Sequence, residues 1–174
     1  MPRFALTARR SRRWLPAILW THLSAQTCLV LSQATITSGN TALLDLSLYS
    51  PSGTAPAALQ WTFQYTSSIS SFTVDDGPTL TSAGKSAICA EEGVNYNCLA
   101  VGLNANTINN GVIAKITAVL APGASAPIIR ITNPLAASAS GNLIPIAAMI
   151  PPIPGARNFS DCRLPPRPRD PVGH

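Results

Sequence analysis

From Ala58 to Tyr65 the chain reads ALQWTFQY, with Leu59, Trp61, Phe63 and Tyr65 alternating with Gln60, Thr62 and Gln64. A strand sends successive side chains to opposite faces, so this order puts four bulky groups on one side and the amides and hydroxyl on the other. These four are the expected centre of a core, each worth about 1.5–3 kcal/mol when fully buried. Two other stretches show the same period. In residues 42–49, Leu44, Leu46 and Leu48 alternate with Leu43, Asp45 and Ser47. In residues 112–120, Val112, Ala114, Ile116, Ala118 and Leu120 alternate with Ile113, Lys115, Thr117 and Val119.

Shorter apolar runs place further strands at 28–36, 69–74, 86–90, 99–103, 127–132 and 143–150. Turn chemistry separates them: Ser38-Gly39-Asn40, SPSGTAP at 50–56, Asp75-Asp76-Gly77-Pro78, and a loop at 104–111 holding four asparagines. Charged residues make up only 11% of the chain, with two Glu and two Lys, too few to solvate amphipathic helices. About nine strands with no helix between them predict an all-β, antiparallel β-sandwich of the jelly-roll or immunoglobulin-like kind. The irregular loop lengths favour two packed sheets over a closed barrel.

A formal charge of +5 invites a nucleic-acid reading, but the charge is not on the domain. Residues 1–25 carry five arginines and no acid; residues 26–156 sum to −2; the end of the chain adds four arginines against two aspartates. A phosphate-binding face needs clustered cations on the folded surface, so nucleic acid is excluded. The basic start, the apolar WLPAILWTHL and the small Ala25 before Gln26 have the order of an export signal. An apolar run of about ten residues is half the roughly 20 that a membrane-spanning helix needs. The expected organisation is a signal peptide at 1–25, one sandwich domain at 26–150 and a Pro/Arg-rich disordered tail at 151–174, in a protein that is secreted or held at the cell surface.

The chemistry of catalysis is largely missing. The only histidines are His22, in the leader, and His174, which leaves no imidazole to activate a serine or cysteine and no zinc set. Glycoside hydrolysis needs two carboxylates flanking a cleft, and the domain's whole stock is Asp45, Asp75, Asp76, Glu91 and Glu92, mostly in expected turns. No catalytic, cofactor-binding or resident metal residues are assigned, and the chain is expected not to be an enzyme. Calcium would find its hard oxygen ligands among Asp75, Asp76, Glu91, Glu92 and the loop asparagines. Sugar stacking would need exposed aromatics; Trp61 falls in the core register, leaving Tyr49, Phe72 and Tyr96. Cys89 and Cys98 can face each other across a hairpin, and a bridge there closes a ring of about ten residues, worth roughly 2–3 kcal/mol. The loops of that region, with Glu91, Glu92 and Asn95 in one and Asn104 and Asn106 in the other, are the candidate ligand contacts.

Four motifs stand in order: Thr37-Ser38-Gly39-Asn40 before a leucine-alternating strand, AALQWTFQY, Asn110-Gly111-Val112-Ile113-Ala114-Lys115-Ile116-Thr117, and Ser140-Gly141-Asn142 before the last strand. Together they resemble the cohesin domains, a group of jelly-roll sandwiches related to carbohydrate-binding modules. The resemblance spans roughly residues 27–150. It implies a non-catalytic extracellular module binding a dockerin-like protein partner in polysaccharide breakdown, or a direct carbohydrate-binding module of the same fold group, or a structural cell-surface protein. First and last strands are neighbours in such folds, which makes Cys28–Cys162 a second bridge to expect; a free thiol at Cys162 is the alternative.

Overall fold

The computed structural model describes residues 26–149; the expectations for the leader, the tail and Cys162 lie outside the described residues. Eleven strands and one short helix follow in this order: β1 (Thr27–Leu31), β2 (Thr35–Thr37), β3 (Thr41–Tyr49), β4 (Ala58–Tyr65), β5 (Ile69–Asp76), α1 (Pro78–Ser82), β6 (Ser86–Glu92), β7 (Asn95–Val101), β8 (Gly111–Leu120), β9 (Ile129–Ala137), β10 (Leu143–Ile144) and β11 (Ile146–Met149). They form a sandwich. One sheet runs β11-β1-β3-β8-β5, with β2 also on β3, and the other runs β10-β9-β4-β7-β6. Every pair among the described residues is antiparallel except β1 with β11, which is parallel, and the architecture is the all-β sandwich that the alternation predicts.

Two of the nine expected strands are each split. The stretch at 28–36 leaves its ladder at Ser32, because four steps from Leu31 to Thr35 face only three on β3, from Leu46 to Leu43. Ser32 holds the break by accepting the Asp45 N–H at its hydroxyl and donating its own N–H to the Asp45 carbonyl, both at 2.8 Å. The stretch at 143–150 divides at Pro145, which has no N–H to give either ladder; Leu143 and Ile144 stay on β9 while Ile146 crosses to β1 in the other sheet.

Three further differences concern register. Residues 133–137, expected in a loop, continue β9, because Asn133 adopts φ 49° and its ladder with β4 shifts between Gln60 and Thr62. Val112 was expected to share a face with Ala114, but a bulge opposite Leu46 and Ser47 turns it out and buries Ile113 instead. Asp75 and Asp76, expected in a turn, are the last residues of β5: Asp75 lies opposite Lys115, and Asp76 Oδ1 accepts the Ala87 N–H of β6 at 2.6 Å, tying one sheet to the other. The helix α1, where none was expected, follows at once. Pro78 starts it at a position where a missing N–H costs nothing.

The core lies between β4 on one side and β3 and β8 on the other. Leu59, Trp61 and Phe63 are fully buried, as are Leu46, Leu48, Ile113 and Ile116. The Trp61 indole N–H has no acceptor among the described residues. Leaving it unpaired costs about 1–3 kcal/mol. Burying a side chain of about 150–250 Å² returns roughly 4–6 kcal/mol, so burial wins.

Gly77 shows how closely the elements approach. Its N–H donates to Ile113 O at 2.9 Å, and a Cβ there would sit 2.4 Å from Val112 O and 2.5 Å from the Ile113 carbonyl carbon. Backbone cannot move aside as a side chain can. Gly77→Ala is expected to destabilise the fold by about 1–3 kcal/mol, the usual cost of overpacking, read as a lower urea midpoint with an unchanged slope.

Candidate binding face

The site is built on the β6–β7 hairpin. Cys89 and Cys98 stand directly opposite each other with Cα atoms 4.1 Å apart and are joined in a disulfide. Both point inward, Cys98 beside Trp61 on β4, so the bridge fixes the inner face of the hairpin against the core. Because side chains alternate, the outer faces of β6 and β7 are fixed with it.

Register lays the outer face of this five-stranded sheet out in rows. Ile88, Leu99, Gln60 and Leu135 form one row across β6, β7, β4 and β9. The next row is Ala90, Asn97, Thr62 and Thr132, and the next is Glu92, Asn95, Gln64 and Arg130. On the other side of the first row, Ala58 and Ala137 lead to Leu143 on β10. Each row crosses four strands, about 14 Å at 4.8 Å per step.

The face is therefore graded, apolar at one end and charged at the other. Ile88 is 62% exposed, Leu99 44%, Leu135 50% and Leu143 78%, four large apolar groups turned to solvent. The middle row is flat: Thr62 is buried on this face, its hydroxyl donating to Asn97 Oδ1 at 2.8 Å. Beyond Leu135 the surface dips into a shallow hollow lined by Pro134, Leu143, Ile144 and Pro145. No aromatic side chain of the described residues projects from this face.

The loop residues expected as ligand contacts do not come together. Glu91 and Glu92 end β6 and Asn95 begins β7, so only Gly93 and Val94 turn the hairpin. Glu91 accepts a hydrogen bond from the Tyr65 hydroxyl, and Glu92 Oε2 accepts one from Asn97 Nδ2 at 3.4 Å. Asn104 and Asn106 lie past the opposite end of the hairpin, about 20 Å away along seven-residue strands. There they serve the backbone: Asn104 Nδ2 donates to Gly84 O at 2.9 Å, and Asn106 Nδ2 to Ala83 O at 3.2 Å. They pin the loop to the end of α1. Ile108, fully buried, anchors the same loop through its N–H to Pro56 O at 2.7 Å. Among the described residues no three His, Cys, Asp or Glu side chains converge as a metal site would need.

The aromatics expected as sugar platforms are mostly spent on packing. Phe72 is buried, stacked on Tyr65 at 4.9 Å, with Tyr96 tilted against it at 5.3 Å. Tyr49 is half-buried on the outer face of the other sheet.

No family model and no curated protein sequence matches the chain. Solved structures do. The sixth cohesin of scaffoldin B from Acetivibrio cellulolyticus, solved in complex with a dockerin, superposes with a TM-score of 0.60 at 12% identity, over 71% of this chain and 94% of that one. The fold is cohesin-like. A non-cellulosomal cohesin from the archaeon Archaeoglobus fulgidus gives a TM-score of 0.59 at 12% identity, over 72% and 87%. A type I cohesin–dockerin complex from Clostridium thermocellum gives 0.60 at 13%, over 73% and 91%. The likeness covers most of each cohesin, and at these identities it is a likeness of fold.

The residues of the graded face were not singled out in the sequence, although one signal was present. β7 is apolar on both faces, Cys98 and Ala100 inward against Leu99 and Val101 outward. A strand that keeps leucine on its solvent side marks a face with something to cover.

The Tyr65–Glu91 contact gives a pH-dependent signature of the packing of β4 against the β6–β7 hairpin. Burial, then the hydrogen bond to Glu91 and the negative charge of that carboxylate, push the Tyr65 phenol from 10 up to about 12. Below the ordinary value both folded and unfolded chains hold the proton; between about 10 and 12 only the folded chain does. Stability from this group is therefore complete below that window and lost as pH rises through it. Urea midpoints are expected to fall more steeply over that window for the parent than for Tyr65→Phe, which has no phenol proton to lose.

Proposed function

We propose that the chain is a secreted, non-catalytic binding module that docks a dockerin-like protein partner, within assemblies that break down polysaccharide. The observation that carries this reading is the outer face of the five-stranded sheet. It is flat, nearly free of charge over its apolar half, and presents Ile88, Leu99, Leu135 and Leu143 to solvent. Protein interfaces have this composition: an apolar centre depleted of charge with a polar rim, here supplied by Gln64, Glu92 and Arg130. The structural neighbours support it, several being cohesins solved with dockerins. Secretion is supported by the Cys89–Cys98 bridge, which suits an oxidising compartment. Stacking of sugar rings on this face would need flat aromatics, and the face offers aliphatic and amide groups instead.

The test is a titration of the purified chain against dockerin modules encoded in its own genome, with a panel of soluble polysaccharides alongside. Binding to a dockerin at one-to-one stoichiometry is expected, with no polysaccharide bound. Leu99→Asp, which leaves the inner face of β7 untouched, is expected to weaken that binding about 30-fold, the equivalent of about 2 kcal/mol for a central interface residue. Binding to a polysaccharide that Leu99→Asp leaves intact would contradict the reading.

A further inference from the structure

Among the described residues Lys85 is the one charged side chain taken inside the domain. It is 4% exposed, while every other acid and base there is half-buried or open to solvent. Its backbone is fixed at the end of α1, where its N–H donates to Leu80 O at 3.1 Å. Its stem lies against Gly102, just past β7; a Cβ on that glycine would sit 2.9 Å from Lys85 Cγ and 2.8 Å from Gly84 O. The Lys85 Nζ donates to Asn104 O at 3.2 Å, and Asn104 Nδ2 in turn holds Gly84 O.

An ammonium has three N–H groups, and among the described residues this one has a single acceptor. The acids are engaged elsewhere. Asp45 and Asp75 stand opposite Lys115, Asp76 accepts from Ala87, Glu91 from Tyr65 and Glu92 from Asn97. Burying a charge is costly unless an anion or a full set of acceptors compensates it. Lys85 is thus buried, held in place and short of a counter-ion.

It stands in the wall of an open hollow of about 470 Å³ on the five-stranded sheet. Ala58 and Ala137 make the floor, the loops at 104–105 and 138–141 make the sides, and Leu99 joins the hollow to the apolar end of the graded face. Alanines in the floor leave depth for a short side chain, and Lys85 is the only charged residue of the lining. We propose, on the reading of that face as a docking surface, that the hollow receives an Asp or Glu side chain of the docked protein, with Lys85 as its counter-ion. A lysine already stripped of water and fixed by Gly102 and Asn104 has little left to lose on pairing, so the contact selects a partner with a carboxylate at that point over one with an amide. An acidic sugar would bring the same charge, but its ring would find aliphatic groups and no aromatic one to rest on.

Peptides titrated into the isotope-labelled full chain test this, with amide signals as the readout. Acetyl-Leu-Glu-Leu-amide is expected to shift the signals of Lys85, Gly102 and Ala137 and to bind about tenfold more tightly than its Gln counterpart. Lys85→Met is expected to make the two equal. Methionine keeps the stem and removes an uncompensated charge, so this variant is also expected to unfold at a urea concentration no lower than the parent. Equal binding of the two peptides by the parent, or a Glu preference that survives in Lys85→Met, overturns the proposal. So does a urea midpoint that falls in Lys85→Met, because the lysine would then serve the fold. Tighter binding of acetyl-Leu-Gln-Leu, whose only carboxylate is its chain end, or of digalacturonate would move the site to another source of carboxylate and overturn it as well. These titrations need no dockerin, so the two readings fail separately: a chain that binds no dockerin can still prefer Glu at Lys85, and one that binds a dockerin can lack that preference.

Discussion

The structure depends on the inward row of β4. Leu59, Trp61, Phe63 and Tyr65 enter the space between the sheets and meet the leucines of β3 and the isoleucines of β8. Few sequences offer so large an apolar volume on one side of a single strand, and burial of the first three is complete. Once that row is inside, Gln60, Thr62 and Gln64 must be outside. A slip of one residue would exchange the two sets at a cost of several buried side chains. The outer face of the five-stranded sheet is in this sense a consequence of the core. The β4 ladders with β7 and β9 carry the same constraint outward, and they align Ile88, Leu99, Gln60 and Leu135 in one row.

Local alternation made β3, β4 and β8 legible, because each keeps large residues on one side and polar ones on the other. It failed where the partner strand decides the geometry. The break at Ser32 exists because β3 is one step shorter there than its neighbour, and nothing within residues 28–36 says so. Pro145 was visible in the sequence, but a proline reports only a missing N–H, not that the chain changes sheets. Asn133 and Pro134 look like a loop; the bulge against β4 absorbs both and the strand goes on. The short α1 lies in a turn-rich stretch whose sequence has neither length nor periodicity to announce a helix. The Cys89–Cys98 bridge was readable because a hairpin leaves few choices for residues nine apart.

The graded face was not legible in the sequence for a related reason. Acids and asparagines draw attention because they can do chemistry. In this chain Asn104 and Asn106 satisfy backbone carbonyls at the end of α1, Asp76 joins the two sheets, and Glu91 receives the Tyr65 hydroxyl. The aliphatic residues that alternation turned outward carry no motif. Among the described residues, the outer face of the five-stranded sheet carries Ile88, Leu99, Leu135 and Leu143 turned to solvent.

Cross-saturation transfer from a bound, proton-rich partner to the deuterated chain reads that surface directly, methyl group by methyl group. Loss of signal at the methyl groups of Ile88, Leu99, Leu135 and Leu143, with those of Ile36, Leu43 and Val119 unaffected, is the result expected from this account. Saturation centred on Leu43 and Val119, on the six-stranded sheet, would contradict it.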